Sequence, residues 1–149
     1  CENGITVDER CQTSIPRIYA AGDCTNHPNP LLNRRLRLES VPNAMEQARV
    51  CAANMVGKDK IYSSIPWFWS DQYELKLQMV GFSSDGDSEV VRGDMDANRF
   101  SVFHVKENKV MAADSVNSPK DFMICKQLIG KEVDLDKLLD ESIELKSML

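Results

Sequence analysis

The stretch TSIPRIYAAGDC, residues 13–24, constrains this chain more than any other. Pro16 bars helix and pushes Ile15 towards an extended backbone, so residues 18–21 are expected to be strand-like from the start. Ile18, Tyr19, Ala20 and Ala21 are apolar without alternation, the pattern of a short strand buried on both faces. Gly22 then removes the side chain and Asp23 adds a carboxylate. In α/β domains ligands bind at the carboxyl end of such a strand: glycine lets a ligand approach the backbone, and the aspartate beyond it accepts hydrogen bonds from a polyol. The same two residues also suit an ordinary Gly-Asp turn.

On either side, the first half reads as strand, loop and helix. Ile5, Thr6 and Val7 follow an Asn3-Gly4 turn and form a short β-prone run. Residues 24–33 are expected as a loop. Arg34, Arg35 and Arg37 make a positive cluster in an acidic chain, suited to steering an acidic partner or to a solvated loop paired with acids such as Glu39. Ser40, Val41 and Pro42 read as a helix start, with Pro42 where its missing N–H is no loss, and the helix is expected over 42–56 before Gly57. Ala44, Ala48, Cys51, Ala52 and Met55 supply the expected buried stripe. The free N–H groups at its start favour an anion. Residues 58–65 are a polar connection, which places a domain boundary near Ser63 and Ser64 and divides the chain into 1–63 and 64–149.

The second half reads as an antiparallel sheet with helices. Trp67, Phe68 and Trp69 in a row demand at least partial burial. From Tyr73 the chain alternates, with Leu75, Leu77 and Met79 on one face and Glu74, Lys76 and Gln78 on the other, up to Gly81. Strands are expected over 89–92, 100–105 and 110–116, with a turn at Glu107, Asn108 and Lys109. Ser118-x-x-Asp121 is a capping signature for a helix to Ile129 that buries Phe122, Cys125, Leu128 and Ile129, and residues 134–139 suggest a last short helix. His104 has no His or Cys at ligand spacing and reads as a satisfied strand histidine.

Composition narrows the class. The 149 residues carry a net charge of -5 and no apolar run long enough to span a bilayer, so neither membrane insertion nor generic nucleic-acid binding is supported. The cysteines, Cys1, Cys11, Cys24, Cys51 and Cys125, are odd in number and lack CxxC spacing; they read as free thiols of a reducing cytoplasm, with no metal site.

The string of residues 13–23 resembles the second flavin motif of the two-dinucleotide-domain flavoprotein reductases. RLESVPNAMEQA (37–48) and PWFWSDQYELKLQMVG (66–81) resemble one branch: the FAD-dependent, NAD(P)H-using ferredoxin reductases of oxygenase systems, putidaredoxin reductase-like or rubredoxin reductase-like. The resemblance implies an α+β chain, in which the returning strand-helix portion of a Rossmann-like FAD domain precedes a C-terminal domain of antiparallel sheet and helices. It implies that Gly22 and Asp23 serve the ribityl chain of FAD, that Ser40, Val41, Pro42 and Asn43 form the helix start facing the pyrimidine edge of the flavin, and that Trp69, rather than Trp67, lies beside the ring. Arg34, Arg35, Arg37 and Arg49 become weaker candidates for contact with a two-iron ferredoxin that feeds an oxygenase or cytochrome P450. No residue here needs to act as acid, base or nucleophile, because the cofactor carries the chemistry. NADH and NADPH are not distinguished.

No GxGxxG loop occurs in the sequence, so the chain is expected to be the C-terminal part of a longer enzyme. By itself it is expected to bind no flavin and to transfer no hydride, behaving as a packing or dimerisation module through apolar surface left without partners. A disulfide reductase relative would share the first motif but would need a reactive cysteine pair or a C-terminal His-Glu pair, and the sequence displays neither.

Overall fold

Three short strands and one helix build the first of the two units, Cys1–Pro66 and Trp67–Leu149, into which the computed structural model of residues 1–149 divides. Strand β1 (Ile5–Thr6) runs parallel to β2 (Thr25–Asn29), and β2 pairs antiparallel with β3 (Arg34–Leu36). Gly4 makes this approach possible: at φ 119° its missing Cβ would stand 2.8 Å from the Cys24 carbonyl oxygen.

Strand β2 corrects the loop expected over 24–33. Thr25, His27 and Asn29 alternate inwards and are buried, while Asn26 and Pro28 are half-buried. A strand with a polar inner face carries no hydrophobic period, and two prolines nearby read as breakers. Pro28 is tolerated because residues 24 and 26 direct their carbonyls at β1, whose N–H groups at Ile5 and Val7 they accept at 2.7 and 3.0 Å. Pro28 faces the same side beyond the last paired residue, so its missing N–H leaves no ladder bond unmade.

Residues 18–21, expected as a fully buried strand, are not one. Ile18 is 51% exposed, and the segment folds back on residues 11–13: Thr13 donates to the Ile18 carbonyl at 2.9 Å and Ala20 to the Cys11 carbonyl at 3.1 Å. Arg17 at φ 68° makes the return after Pro16. Within this unit no neighbouring strand flanks the segment on both sides, and local pairing takes its backbone groups instead.

Helix α1 (Val41–Met55) begins as expected, with Ser40 as N-cap, its Oγ accepting from the Asn43 N–H at 3.3 Å. Its buried face differs from the expected stripe. Pro42, Asn43, Gln47 and Cys51 are buried, whereas Ala48 and Ala52 are exposed and Met55 is 68% exposed. Asn43, Gln47 and Cys51 are spaced four apart on one face, and hydrogen bonding of the first two to buried polar groups sets the helix rotation.

The second unit is a five-stranded antiparallel sheet in the order β4-β5-β8-β7-β6, from β4 (Trp67–Gln72), β5 (Leu75–Gly81), β6 (Ser88–Asp94), β7 (Arg99–Lys106) and β8 (Lys109–Val116). Glu107 and Asn108, at φ 49° and 61°, form the two-residue turn whose twist matches the β7-β8 hairpin. Helices α2 (Pro119–Leu128) and α3 (Leu135–Leu139) follow; Asp134 caps α3, accepting from the Asp136 and Lys137 N–H groups, while Ser118 stands at the α2 cap position without a side-chain cap bond, contrary to the expected box. Phe122, Cys125 and Leu128 are buried as expected, alongside Val80, Phe103, Val110 and Leu138; Ile129 is only half-buried.

Two strand expectations change. The aromatic run is itself strand β4, and Tyr73, expected inside a strand, is the 99% exposed residue of the hairpin loop at φ 54°. In β5 the fully buried residue is Val80, while Leu75, Leu77 and Met79 are only half-buried. The register aligns Trp67 with Val80, Val80 with Ala113 and Ala113 with Phe103, and Trp67 meets Phe122 of α2 at 6.0 Å between ring centroids. Helix α2 therefore covers the face of β5 that carries Gln78 and Val80. His104 is satisfied as expected: its Nε2 lies 2.9 Å from Asp114 Oδ2 and its Nδ1 3.4 Å from Glu89 Oε1. No helix is long and apolar enough to cross a membrane.

Candidate functional site

In the first unit the Gly22-Asp23 turn and the start of α1 come together. Gly22 sits at φ 85°, and a Cβ there would meet Ala44 Cβ at 3.3 Å, so the turn lies directly against the first turn of the helix. Gln47, one turn further along, fixes it: its Oε1 accepts from the Gly22 N–H at 2.7 Å and lies 2.8 Å from Thr25 Oγ1. Asp23 is exposed and its carboxylate makes no hydrogen bond or ion pair within the chain. Of the donors at the helix start, Asn43 N–H is taken by Ser40 Oγ, Ala44 N–H by the Ser40 carbonyl, and Pro42 has none; the Val41 N–H is left over. Val41 is exposed and Pro42 buried, so the edge presented is one N–H, one apolar side chain and the neighbouring carboxylate.

A buried polar relay stands behind this edge. Gln47 Nε2 lies 2.8 Å from His27 Nδ1, and the His27 ring meets Tyr62 edge to face at 5.1 Å. Tyr62 Oη donates to Asn43 Oδ1 at 3.0 Å, and Asn43 Nδ2 donates to the Leu38 carbonyl at 2.8 Å. Burial, seconded by the positive charge of Arg35, holds the His27 imidazole down at about 4, and burial raises the Tyr62 phenol. His27 Nε2 is buried without a partner. Neither His27 nor Gln47 is among the residues expected at the site; the spacing of Asn43 and Gln47 on one helix face is the sequence signal that points to them.

The remaining expected residues are scattered. Arg35 is a structural tie: Nε donates to Asn26 Oδ1 at 2.9 Å and an Nη donates to the Val7 carbonyl at 2.8 Å. Arg37 pairs with Glu39 at 2.8 Å, the bland outcome for that charge. Arg34 is exposed on β3, and Arg49 is exposed on α1. Trp69 belongs to the second unit, 44% exposed, with its ring 5.4 Å from that of Trp67; Lys126 Nζ lies 4.2 Å above the Trp67 ring. All five cysteines are free. Cys11 and Cys51 share the core with Tyr62, but burial pushes the Cys11 thiol up to about 12 and also raises Cys51, leaving a pair unsuited to thiolate chemistry at neutral pH. No group of side chains is placed to hold a metal.

Residues 67–149 match the family described as Reductase C-terminal. The chain belongs to that family. Residues 1–48 of this Reductase C-terminal chain also match Pyridine nucleotide-disulphide oxidoreductase. Among curated relatives, the chain is 44% identical over 98% of its length to the 5,5'-dehydrodivanillate O-demethylase ferredoxin reductase subunit of Sphingobium sp. and 45% identical over 99% to putidaredoxin reductase CamA of Pseudomonas putida. Each alignment covers 36% of the relative, so the chain spans about a third of the length of the curated relatives it matches. Among solved structures, that of a covalent putidaredoxin reductase-putidaredoxin complex superposes with a TM-score of 0.88 at 44% identity, over 99% of this chain and 36% of the other.

Proposed function

We propose that this chain is the C-terminal part of an FAD-dependent NAD(P)H:ferredoxin reductase, a cytoplasmic flavoprotein that delivers electrons to a two-iron ferredoxin serving an oxygenase or a cytochrome P450. The observation that carries the reading is the juxtaposition of the Gly22-Asp23 turn with the start of α1, held by Gln47 at 2.7 Å from the Gly22 N–H, in a chain whose relatives are ferredoxin reductases. The residues present fit a flavin: a positive-φ glycine that lets the turn lie against the first turn of α1, an unpaired carboxylate for a ribityl hydroxyl, and a leftover helix N–H for an electron-rich ring edge. FAD, when bound, supplies hydride acceptance from a nicotinamide and one-electron delivery to the ferredoxin. The chain's own part is binding and orientation. Asp23 would hold the polyol, Ser40 would keep the first turn of α1 rigid, and Val41, Pro42 and Asn43 would shape the edge and present the Val41 N–H, a preorganised dipole favouring negative charge. Trp69 is assigned to the same cofactor by family resemblance, and Arg34, Arg37 and Arg49 to the ferredoxin on the same ground and on charge.

In the full-length reductase, Asp23→Ala is expected to weaken FAD retention about tenfold or more, the cost of losing a charge-assisted hydrogen bond; an unchanged flavin content after gel filtration would sink the assignment. The 149 residues alone are expected to purify colourless. Exposure of Ile18, Met45, Met55 and Val56 in the first unit supports self-association of the chain as it stands, which light scattering would show as a dimer mass.

A further inference from the structure

We propose that His27 is a positioning residue for the Gly22-Asp23 turn, acting through the amide of Gln47. The inference rests on the reading of that turn as a flavin contact. A glutamine amide can be placed two ways round, and what faces it decides which. The Gly22 N–H can only donate, so the atom 2.7 Å away must be Oε1. The amide nitrogen then points at His27 Nδ1, 2.8 Å away, and that nitrogen must accept. The ring proton is therefore on Nε2, and a second proton at Nδ1 would set N–H against N–H and drive the amide to flip away from Gly22 and Thr25.

The groups that bond, touch or flank the ring agree with the neutral form. Strand β3 contributes the Arg35 cation, α1 the neutral Gln47, β2 itself the neutral Thr25 and Asn29, and the segment after α1 the Tyr62 ring. No carboxylate acts on His27 to favour its protonation. His27 is 1% exposed and its Nε2 is buried without a partner, a cost that a residue serving only to fill space would avoid, since phenylalanine fills the same volume without it. The ring also contacts Tyr62, which bonds Asn43 in the first turn of α1. One imidazole thus fixes both halves of the site, the Gly22 turn through Gln47 and the helix start through Tyr62 and Asn43.

The test uses 15N-labelled 149-residue chain and the full-length reductase. Long-range 15N–1H correlation spectra at pH 7 are expected to show His27 neutral with the proton on Nε2. In Gln47→Glu, where the carboxylate still accepts from Gly22 and Thr25 but now offers Nδ1 an acceptor, the proton is expected on Nδ1. In His27→Phe, hydrogen exchange at the Gly22 amide is expected to accelerate about tenfold, the loss of roughly one net hydrogen bond. A wild-type ring carrying its proton on Nδ1, or a Gly22 exchange rate unchanged in His27→Phe, overturns the proposal; should that variant fail to fold, the tautomer switch in Gln47→Glu decides it. In the full-length reductase, FAD binding weakened by both Asp23→Ala and His27→Phe supports it. Weakening by Asp23→Ala alone overturns the positioning role and leaves the flavin site standing. No weakening by either overturns the flavin site, and the tautomer and exchange measurements then decide the relay by themselves.

Discussion

Removing the guanidinium of Arg92 should loosen the whole C-terminal edge of the second unit. Arg92 lies on β6, 8% exposed, and its guanidinium is bonded to backbone carbonyls. Its Nη1 donates to the Leu138 carbonyl at 3.0 Å and to the Asp140 carbonyl at 2.8 Å, and its Nη2 to the Ile143 carbonyl at 2.7 Å. These carbonyls come from the end of α3 and the turn after it, so one side chain gathers the orphan acceptors of a short helix and ties its exit to the sheet. Arg92→Met keeps the length and apolar stem but leaves three acceptors without a donor. The Leu138 bond is buried and should cost about 2 kcal/mol, while the part-buried Asp140 and Ile143 carbonyls recover water and should cost about 1 kcal/mol each, near 4 kcal/mol in all. For a unit of this size that is a fall in Tm of roughly 15–30 °C, read by calorimetry or circular dichroism. Arg92→Lys should recover about 1 kcal/mol, since one ammonium reaches one or two of the three carbonyls. A loss below about 1 kcal/mol in Arg92→Met, with amide exchange at Leu138 and Ile143 unchanged, would show that the three bonds contribute nothing and refute the reasoning.

The pH dependence of the first unit follows from His27. Its folded value near 4 lies below the ordinary 6.5, so the unfolded chain takes up a proton that the folded one refuses; stability is full above 6.5 and falls as the pH drops from 6.5 to 4, by about 3 kcal/mol in total. Urea titrations across this range should show that slope in the wild type and its removal in His27→Phe; equal slopes would contradict the burial of a neutral ring. Thiol titration with a disulfide reagent at neutral pH should find the exposed Cys1 and Cys24 reacting quickly, while Cys11 and Cys125, each pushed up to about 12 by burial, and the buried Cys51 react only on unfolding. A third fast thiol in the native chain would count against the packing of Cys11 with Cys51.

What the chain states locally, it states clearly. Ser40 and Pro42 mark the start of α1, Glu107 and Asn108 the β7-β8 turn, and Phe122, Cys125 and Leu128 the buried side of α2, because capping, turn geometry and a dominant apolar period are properties of a few neighbouring residues. The residues proposed for the site, Gly22, Asp23 and the 40–43 segment, stand out in the sequence because glycine, aspartate and a capped helix start are chemically distinctive at short range. Their juxtaposition was legible only through family resemblance. The strand expected at 18–21 failed because burial on two faces needs neighbours, and this unit supplies only residues 11–13 for pairing.

The family resemblance and the residues proposed for the site could be read from the amino-acid sequence, because both rest on short motifs and local conformational preference. Tertiary structure decided which faces are inside. Helix α2 selected the Val80 face of β5, and the polar inner face of β2 turned α1 so that Asn43 and Gln47 are buried while Ala48 and Ala52 are exposed. A hydrogen bond made in the interior outweighs a weak apolar stripe, and its partner, His27 for Gln47, lies 20 residues away in the sequence. The relay that holds Gly22 in place therefore exists only once the chain has folded.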